Sequence, residues 1–322
     1  MRAVRISQTG GPEVLELVEV DKPEPRPGQI LLRHEAIGIN FIDTYLRSGL
    51  YPTKLPGGLG VEAAGVVEAV GEGVTRFKVG DRAASANVPG SYADYSVLPA
   101  DRAVKIRKGV DSRTAAAALL KGMTVEYLLL RLHEVEPGET ILVHAAAGGV
   151  GQIMVQWAKA LGAVVIATVG SEAKAARVRE LGADHVILYR DQDVAAEVRR
   201  ITDGKGVPVA YDSVGKDTFE GTLKSLARRG VFVSFGNASG PPPLVDARQL
   251  MVNGSLFFTR PTMADYHATT EELDASAAAL FDLIGSGRIE IEIGQTFALA
   301  DARKAHEALE SRSTIGASLL IP

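Results

Sequence analysis

Residues 140–151 read TILVHAAAGGVG, an apolar run followed by a glycine-rich turn. Ala146, Gly148 and Gly151 occupy the three glycine positions of the G-x-G-x-x-G fingerprint, and a helical pattern that carries Gln156 and Lys159 follows them. A strand, a tight turn and a helix in this order let the backbone approach a pyrophosphate, whose negative charge then faces the N–H groups at the start of the helix. The segment therefore predicts a dinucleotide-binding βαβ unit.

This unit lies within a longer alternation of apolar strands and helical patterns. The predicted strands are residues 140–146, 164–169, 185–188, 207–212, 230–235 and 255–259. Six short strands separated by helices are typical of a doubly wound parallel sheet, so the predicted fold class is α/β.

The first 120 residues show a different pattern, with strand-like stretches at 14–20, 29–39, 61–70 and 91–98 that are interrupted by turns rich in proline and glycine. Helical periodicity begins at 115–120 and 125–132 and returns at 271–287 and 300–312. A last strand at 317–321 is expected to rejoin the first β structure. The nucleotide-binding domain, 122–259, is thus predicted to be inserted into a β-rich domain of residues 1–121 and 260–322.

Composition limits the classes of partner. The chain has 322 residues, 46% of them hydrophobic, which suffices for two cores. Its 35 basic and 39 acidic residues give a net charge of −4 without a basic block, so nucleic acid is not an expected partner. We find no signal-peptide core and no apolar run of roughly 20 residues, and therefore expect a cytoplasmic protein without a membrane anchor.

The chain contains no cysteine, which excludes disulfides, thiolate nucleophiles and cysteine-based zinc sites. Any metal would have to be held by the six histidines and by carboxylates. The histidines are scattered without the short spacings of a ligand set. We therefore expect no metal.

The end of the second parallel strand indicates which dinucleotide is bound. An NADH-binding site usually has an acidic residue there, about 20 positions after the glycines, to bind the ribose hydroxyls. Here Ser171 and Lys174 follow the strand, and Tyr189 with Arg190 follows the next one. These groups favour the 2′-phosphate of NADPH. The alternative is that the two basic side chains are solvated surface charges, and Glu172 could approach the ribose.

Motifs along the whole chain resemble those of the zeta-crystallin-like quinone oxidoreductases, a zinc-free branch of the medium-chain dehydrogenase/reductase superfamily. The segment 138–159 matches the signature of that family. Further matching motifs are Asn40–Tyr45, Gly60–Gly80, Lys121–Thr124, Tyr211–Gly215, Ser234–Asn237, Thr259–Pro261 and Glu310–Arg312. The resemblance implies a GroES-like β-rich catalytic domain and a Rossmann domain with a six-stranded parallel sheet.

The same resemblance implies that the zinc ligands of related enzymes are missing from this chain. The zinc alcohol dehydrogenases of the superfamily have a catalytic cysteine where this chain has Asn40 and a histidine where it has Val61. Their cysteine-rich structural lobe is also missing, because residues 87–90 lead directly into the next strand. The resemblance therefore implies reduction of an acceptor that is already electrophilic, such as a quinone or an enone, without a zinc Lewis acid.

The resemblance also implies site residues. Those expected to bind NADPH are Asn40, Phe41, Lys121, Thr124, Gly148, Gly149, Val150, Gly151, Gly170, Ser171, Lys174, Tyr189, Ser213, Phe235, Gly236, Asn237, Phe258, Thr259, Arg260 and Arg312. Asn40, Tyr45, Tyr51 and Arg260 are expected to form the substrate and nicotinamide pocket, with no obligatory acid or base. Whether Tyr45 and Tyr51 are packing walls or proton donors stays open, and Arg312 could belong to a structural ion pair.

The implied activity is NADPH-dependent quinone reduction, with semiquinone as the product that the family forms, in a cleft between the domains. One alternative is reduction of α,β-unsaturated ketones or aldehydes by the same cofactor. Another is a non-catalytic role, crystallin-like or RNA-binding, with the nucleotide site retained. Residues 256–258 read as an apolar edge strand, and the family pairs this strand across a homodimer axis.

Overall fold

The computed structural model describes residues 1–86 and 88–322, so Asn87, the first residue of the direct connection noted above, lies outside the described residues. The chain forms two compact units. Unit 1 comprises Met1–Met123 and His267–Pro322, and unit 2 comprises Thr124–Tyr266. No helix in the described part of the chain is both long and apolar enough to span a membrane.

The strands in chain order are β1 Arg2–Ile6, β2 Glu16–Glu19, β3 Gln29–Ile39, β4 Gly57–Gly58, β5 Glu62–Val70, β6 Arg82–Ala86, β7 Tyr95–Pro99, β8 Ala103–Lys105, β9 Thr140–Val143, β10 Val164–Val169, β11 His185–Leu188, β12 Val207–Asp212, β13 Leu226–Ser234, β14 Phe257–Thr259, β15 Ile293–Ala298 and β16 Ala317–Ile321.

The α-helices are α1 Phe41–Ser48, α2 Ser112–Tyr127, α3 Gly149–Ala160, α4 Glu172–Glu180, α5 Val194–Ile201, α6 Phe219–Ser225, α7 Ala247–Val252, α8 Met263–Tyr266, α9 Thr270–Gly285 and α10 Ala302–Glu310. Short 3₁₀ segments occupy Pro12–Val14, Ala100–Arg102 and Leu299–Asp301, and a π-helical turn follows α2 at Leu128–Leu132.

Unit 1 contains two sheets. A seven-stranded sheet has the order β15-β16-β3-β5-β6-β8, with β7 also paired to β3, and a three-stranded sheet has the order β2-β1-β4. The last strand, β16, pairs with β3 in antiparallel register and with β15 in parallel register. This pairing confirms that the C-terminal strand rejoins the first β structure. One core cluster of the unit includes Val4, Ile37 and Leu320.

Unit 2 contains a parallel six-stranded sheet of order β11-β10-β9-β12-β13-β14, which confirms the predicted doubly wound fold. The chain order reverses at β9, because β10 and β11 extend the sheet on one side and β12 to β14 extend it on the other. Ligands of such sheets bind beyond the carboxyl ends of the strands, at this reversal point. The residues that follow each strand are therefore the candidates for a binding site.

Several predicted boundaries were wrong, each for a local reason. The strand predicted to end at residue 146 ends at Val143, because Ala145 has a φ of 51°, in the left-handed region. The last strand of the sheet begins at Phe257 rather than at Ser255, whose φ is 57°. Conversely, β13 begins four residues before the predicted strand and passes through Arg229, whose φ is 62°.

Two predicted helices, 115–120 and 125–132, form one helix, α2, followed by the π-helical turn. Gly122 lies inside α2, where a Cβ atom would overlap the side chain of Leu280. The glycine thus permits close packing of α9 on α2 and does not end the helix. Strand β15 was not predicted. Its exposed positions include Gly294, so the sequence does not show the alternation of apolar and polar residues that is typical of a half-buried strand.

Candidate active site

The carboxyl ends of the six parallel strands bring together most of the predicted cofactor residues of unit 2. Gly148 to Gly151 follow β9, Gly170 to Lys174 follow β10, and Tyr189 follows β11. Ser213 follows β12, Phe235 to Asn237 follow β13, and Arg260 follows β14. Since carboxyl ends of parallel strands meet at one edge of a sheet, these residues share one face of unit 2.

The turn after β9 has the geometry of a pyrophosphate cradle. Gly148 is the N-cap of α3 in extended conformation, and no side chain caps this end of the helix. A Cβ atom on Gly151 would lie 2.5 Å from the Ala145 carbonyl oxygen and 2.6 Å from the Ala146 Cα, so only glycine allows α3 to start this close to the strand. The helix N-terminus therefore presents backbone N–H groups and positive dipole charge to a phosphate.

Basic and hydroxyl groups follow β10 and β11. Ser171 caps α4 by accepting a hydrogen bond from the Lys174 N–H at 3.4 Å. The Lys174 side chain is half-buried, and burial, together with the charge of Arg190, lowers its pKa. A Cβ atom on Gly170 would lie 2.5 Å from the hydroxyl oxygen of Tyr189, so the tyrosine covers this residue closely. Two neighbouring cations, one of them partly desolvated, suit an anionic group such as a 2′-phosphate.

Glu172 belongs to a different contact. Its carboxylate pairs with Arg179 at 2.5 Å, within the exposed face of α4. Its charge is therefore compensated by a residue of the same helix. In this pairing Glu172 contacts Arg179 and not Lys174.

The residues after β13 and β14 are connected by hydrogen bonds. The Arg260 guanidinium donates to the Ser234 Oγ at 3.2 Å and to the Gly236 carbonyl oxygen at 3.0 Å. With its oxygen turned toward Arg260, the Asn237 amide accepts from Nη2 at 3.2 Å and donates to Gly236 at 2.9 Å. A Cβ atom on Gly236 would overlap the Ser213 backbone. These contacts hold the ends of β12, β13 and β14 together.

Phe258 and Thr259 are the last residues of β14, at the same carboxyl edge of the sheet. The Phe258 ring, however, packs into the apolar core. Its centroid lies 5.1 Å from that of Phe232 and 6.3 Å from that of Phe219. The ring therefore stabilises the edge of the sheet. A contact between its backbone and the cofactor stays a prediction.

The sequence did not predict a buried polar network directly beneath the glycine-rich turn. His144 Nδ1 lies 3.0 Å from the Thr168 Oγ1, and its Nε2 lies 2.9 Å from the Thr222 Oγ1. Thr222 also donates to Asp212 at 3.1 Å, and Asp212 accepts the backbone N–H of Val214 at 2.7 Å. Burial lowers the pKa of His144, which keeps the ring neutral at pH 7. The network ties together the ends of β9, β10 and β12.

Unit 1 gathers the predicted aromatic residues around α1. The Tyr45 ring lies edge-on to Tyr51, with 5.3 Å between centroids, and 6.4 Å from Phe41. The Tyr51 N–H donates to the Tyr45 carbonyl oxygen at 3.0 Å, which fixes the segment after the helix. The three rings therefore form one aromatic wall beside Asn40, the N-cap of α1.

Asn40 and Lys121 meet at one carboxylate that the sequence did not single out. The Glu62 Oε2 accepts from the Asn40 Nδ2 at 2.9 Å and from the Lys121 Nζ at 3.0 Å. All three side chains are buried. The predicted position of Lys121 beside a ribose stays a prediction, whereas its ion pair with Glu62 is part of this unit.

A second buried carboxyl group, Asp43, lies in the same cluster. Its Oδ2 accepts the Asn40 backbone N–H at 2.8 Å and the Tyr92 hydroxyl at 3.0 Å, while its Oδ1 has no partner among the described residues. Burial raises the pKa of Asp43 to about 7, against the effects of these hydrogen bonds and of Lys121. Asp43 thus changes its charge near neutral pH.

Asp43 stands at the end of a chain of buried donors. The Arg47 Nη1 lies 3.0 Å from the His306 Nδ1, and the His306 Nε2 lies 3.1 Å from the Tyr92 oxygen. Because Arg47 can only donate, His306 accepts at Nδ1 and donates from Nε2 to Tyr92, whose hydroxyl donates to Asp43. A proton on Asp43 must then lie on Oδ1. Burial and Arg47 lower the pKa of His306 to about 3, so this histidine is neutral.

The remaining predicted residues lie outside these clusters. Thr124 is buried on α2. Arg312 is exposed and has a φ of 58°, after the end of α10. Among residues 1–86 and 88–322, no three histidine or acidic side chains are grouped so that they could hold a metal ion.

Comparisons with known proteins agree with this geometry. The family model "Alcohol dehydrogenase GroES-like domain" matches residues 26–108, and "Zinc-binding dehydrogenase" matches residues 149–278. A quinone oxidoreductase of Pseudomonas aeruginosa is 52% identical over 100% of this chain and 99% of its own. A 2-haloacrylate reductase of Burkholderia is 45% identical over 99% and 98% of the two chains.

Among solved structures, the crystal structure of Escherichia coli quinone oxidoreductase complexed with NADPH has a TM-score of 0.98. It is 48% identical and covers 100% of both chains. A GroES-like domain joined to a Rossmann domain is the architecture of the medium-chain dehydrogenase/reductase class. Within that class, the chain belongs to the quinone oxidoreductase family. The resemblance and the oxidoreductase class predicted from the sequence are thereby confirmed.

Proposed function

We propose that this protein reduces quinones with NADPH. The observation that carries the proposal is the group of Ser171, Lys174 and Arg190 after β10 and β11, where the pKa of Lys174 is lowered for lack of solvent and by a second cation. An anion bound beside these two cations would stabilise the charged form of the lysine. NADPH has such an anion, the 2′-phosphate, whereas NADH does not.

The residues of unit 2 fit this cofactor along its length. The backbone N–H groups of Gly149, Val150 and Gly151 would bind the pyrophosphate, and Lys174 would bind the 2′-phosphate. Arg260, which follows β14 and donates to Ser234 and Gly236, would orient the nicotinamide carboxamide. When bound, the cofactor supplies the reducing equivalents.

In unit 1 the aromatic wall of Phe41, Tyr45 and Tyr51 would bind a planar acceptor and exclude water. Positioning is the main catalytic effect expected of these residues, since holding a donor and an acceptor in the correct orientation at roughly 3 to 3.5 Å removes much of the entropic part of the barrier. A quinone is already electrophilic, so no zinc ligand is required at the Asn40 and Val61 positions.

A second activity is favoured by one observation, the 45% identity to a 2-haloacrylate reductase. Its name describes reduction of an activated carbon–carbon double bond. The same cofactor could reduce an enone or a haloacrylate here, and the acceptor would then be selected by the shape of the pocket that includes Tyr45, Tyr51 and Arg260.

Steady-state kinetics with NADPH and four acceptors would separate these activities: a 1,2-quinone, a 1,4-quinone, an enone and a 2-haloacrylate. We expect kcat/KM for a quinone to exceed that for the other two classes by about tenfold or more. A higher value for the enone or the haloacrylate would establish the alternative. Turnover of none of them, with NADPH still bound, would favour a non-catalytic role.

We also propose a cytoplasmic homodimer that associates through β14. This strand is at the edge of the six-stranded sheet, and Phe257 on it is 61% exposed. Met251 and Val252, on the helix that precedes the strand, are exposed to a similar extent. An uncovered apolar edge strand favours pairing with a second copy.

A further inference from the structure

Glu62, which binds the side chain of Asn40, is a fully buried acid with no exposed area. It begins β5, and its carboxylate is surrounded by donors. The Oε1 accepts the Leu120 backbone N–H at 2.7 Å, and the Oε2 accepts from the Lys121 Nζ at 3.0 Å and from the Asn40 Nδ2 at 2.9 Å. Removing an acid from water is unfavourable in free energy, so a buried acid is expected where its hydrogen bonds serve the structure or the function.

The backbone leaves space for this carboxylate. Gly38 on β3 is directly opposite Glu62 in the antiparallel register. A Cβ atom on Gly38 would overlap the Glu62 Oε2 and the carbonyl oxygen of Ala116. Any larger residue at position 38 would therefore displace the atom that binds both Asn40 and Lys121.

The chemistry of a carboxylate fixes the orientation of the Asn40 amide. An ionised carboxylate accepts hydrogen bonds and cannot donate them. The NH₂ end of the Asn40 side chain must consequently face Glu62, and the Oδ1 end must face away from it. A neutral glutamine at position 62 has both a donor and an acceptor end, so it would permit either orientation of Asn40.

Lys121 and Asp43 complete the arrangement. The Lys121 ammonium pairs with the Glu62 carboxylate inside the unit, and this attraction offsets part of the cost of burying the two groups. Asp43 binds the backbone N–H of the same asparagine at 2.8 Å. Two separate acidic groups thus hold Asn40, one at its backbone and the other at its side chain.

We propose that Glu62 is a positioning residue that holds the Asn40 amide in one orientation, with its Oδ1 end directed to the bound nicotinamide or acceptor. The inference rests on the proposed function, in which Asn40 contacts one of these groups. Glu62 itself touches neither of them. Its effect on turnover passes through Asn40 and is absent when the asparagine side chain is removed.

A double-mutant cycle tests this dependence. We expect Glu62→Gln to lower kcat for a quinone about tenfold, as for loss of a hydrogen bond to a charged group, and Asn40→Ala to lower it at least as much. In the Asn40→Ala background, Glu62→Gln should change kcat by less than about twofold. Glu35→Gln, which alters another acid of unit 1 that accepts from Ser112, is the matched control with unchanged kcat.

A second readout does not depend on activity. Proton–nitrogen correlation spectra of the protein without cofactor contain the Asn40 side-chain amide, which is assigned by its loss in Asn40→Ala. We expect its two resonances to shift or broaden in Glu62→Gln and to stay unchanged in Glu35→Gln. If Glu62→Gln does not fold, Glu62→Gln with Lys121→Met removes both charges and leaves no buried ammonium unpaired. Because Lys121 is itself expected to bind NADPH, the Asn40 amide resonances, and not kcat, are the readout for that variant.

Multiplicative losses in the cycle, or an Asn40 amide signal that Glu62→Gln leaves unchanged, would overturn the inference. The failure of the proposed function is a separate outcome. In that case the wild-type protein reduces no quinone, but the amide resonances still report whether Glu62 orients Asn40.

Discussion

In the proposed function, Lys174 is the residue that we expect to decide between NADPH and NADH. Lys174→Met keeps the length of the side chain and removes its charge. We expect the Kd for NADPH to rise by about tenfold or more, since a hydrogen bond to a charged group contributes about 1.5 to 3 kcal/mol, while the Kd for NADH stays nearly the same.

Titration of cofactor fluorescence measures both constants. Lys205→Met is a suitable control, because Lys205 is exposed and precedes β12, at the amino edge of the sheet. Equal losses for NADPH and NADH in Lys174→Met would contradict the assignment of the 2′-phosphate to this residue.

Asp43 should make stability depend on pH. Burial raises its pKa from 3.8 to about 7, so the folded protein binds this proton more tightly than the unfolded chain does. The contribution to stability is fully present below pH 4 and is lost as the pH rises through 7. A difference of this size corresponds to roughly 4 kcal/mol as an upper bound.

Asp43→Asn should remove that loss, because its amide oxygen can still accept from Asn40 and Tyr92 and its NH₂ replaces the protonated Oδ1. Urea unfolding at a series of pH values between 4 and 8 measures the difference. Parallel stability profiles for the wild type and the variant would show that Asp43 keeps an ordinary pKa, despite its position beside Tyr92, Glu62 and Lys121.

At the scale of elements, the start of α3 depends on a missing side chain. Gly151→Ala would bring a methyl group to 2.5 Å from the Ala145 carbonyl oxygen, so the helix must move away from β9. We expect NADPH binding to weaken about tenfold or more, together with a fall in Tm, because the backbone N–H groups no longer meet the pyrophosphate.

Gly221→Ala in α6 is the matched control, since a Cβ atom there meets nothing within 4 Å. It should leave NADPH binding unchanged and raise helix stability by up to about 1 kcal/mol. Calorimetric titration and thermal unfolding of the two variants provide the comparison. Wild-type affinity in Gly151→Ala would refute the requirement for close packing.

Most strands of the parallel sheet were predicted from their apolar patterns, and their ends were predicted correctly only where the backbone conformation stays regular. Strands β3, β10, β11, β12 and β16 have the predicted bounds. The ends of β9, β13 and β14 differ because Ala145, Arg229 and Ser255 take left-handed conformations that apolar patterning does not reveal. The candidate site followed the same rule: residues after predicted strands were located, whereas Glu62, inside a strand, was not recognised.

At the scale of the whole molecule, the proposed homodimer can be tested at its edge strand. Phe257→Glu places a charge on an exposed apolar position of β14, and we expect it to convert the protein to a monomer in sedimentation equilibrium. Leu17→Glu makes the same change of charge on an exposed leucine of β2, in unit 1, and should leave the mass unchanged. A dimer that persists in Phe257→Glu would place the interface elsewhere.

The parallel sheet and the glycine-rich turn follow from the sequence alone, because each depends on residues that are close in the chain. The proposed preference for a 2′-phosphate rests on residues of the same kind, which directly follow two predicted strands. Only the tertiary structure brought Glu62 to Asn40, 22 residues away, and Arg47 to His306, 259 residues away. Such pairs cannot be predicted from hydrophobic periodicity or from turn residues, which report only on neighbouring positions in the chain. They form because burial forces charged and polar groups of distant segments to satisfy one another.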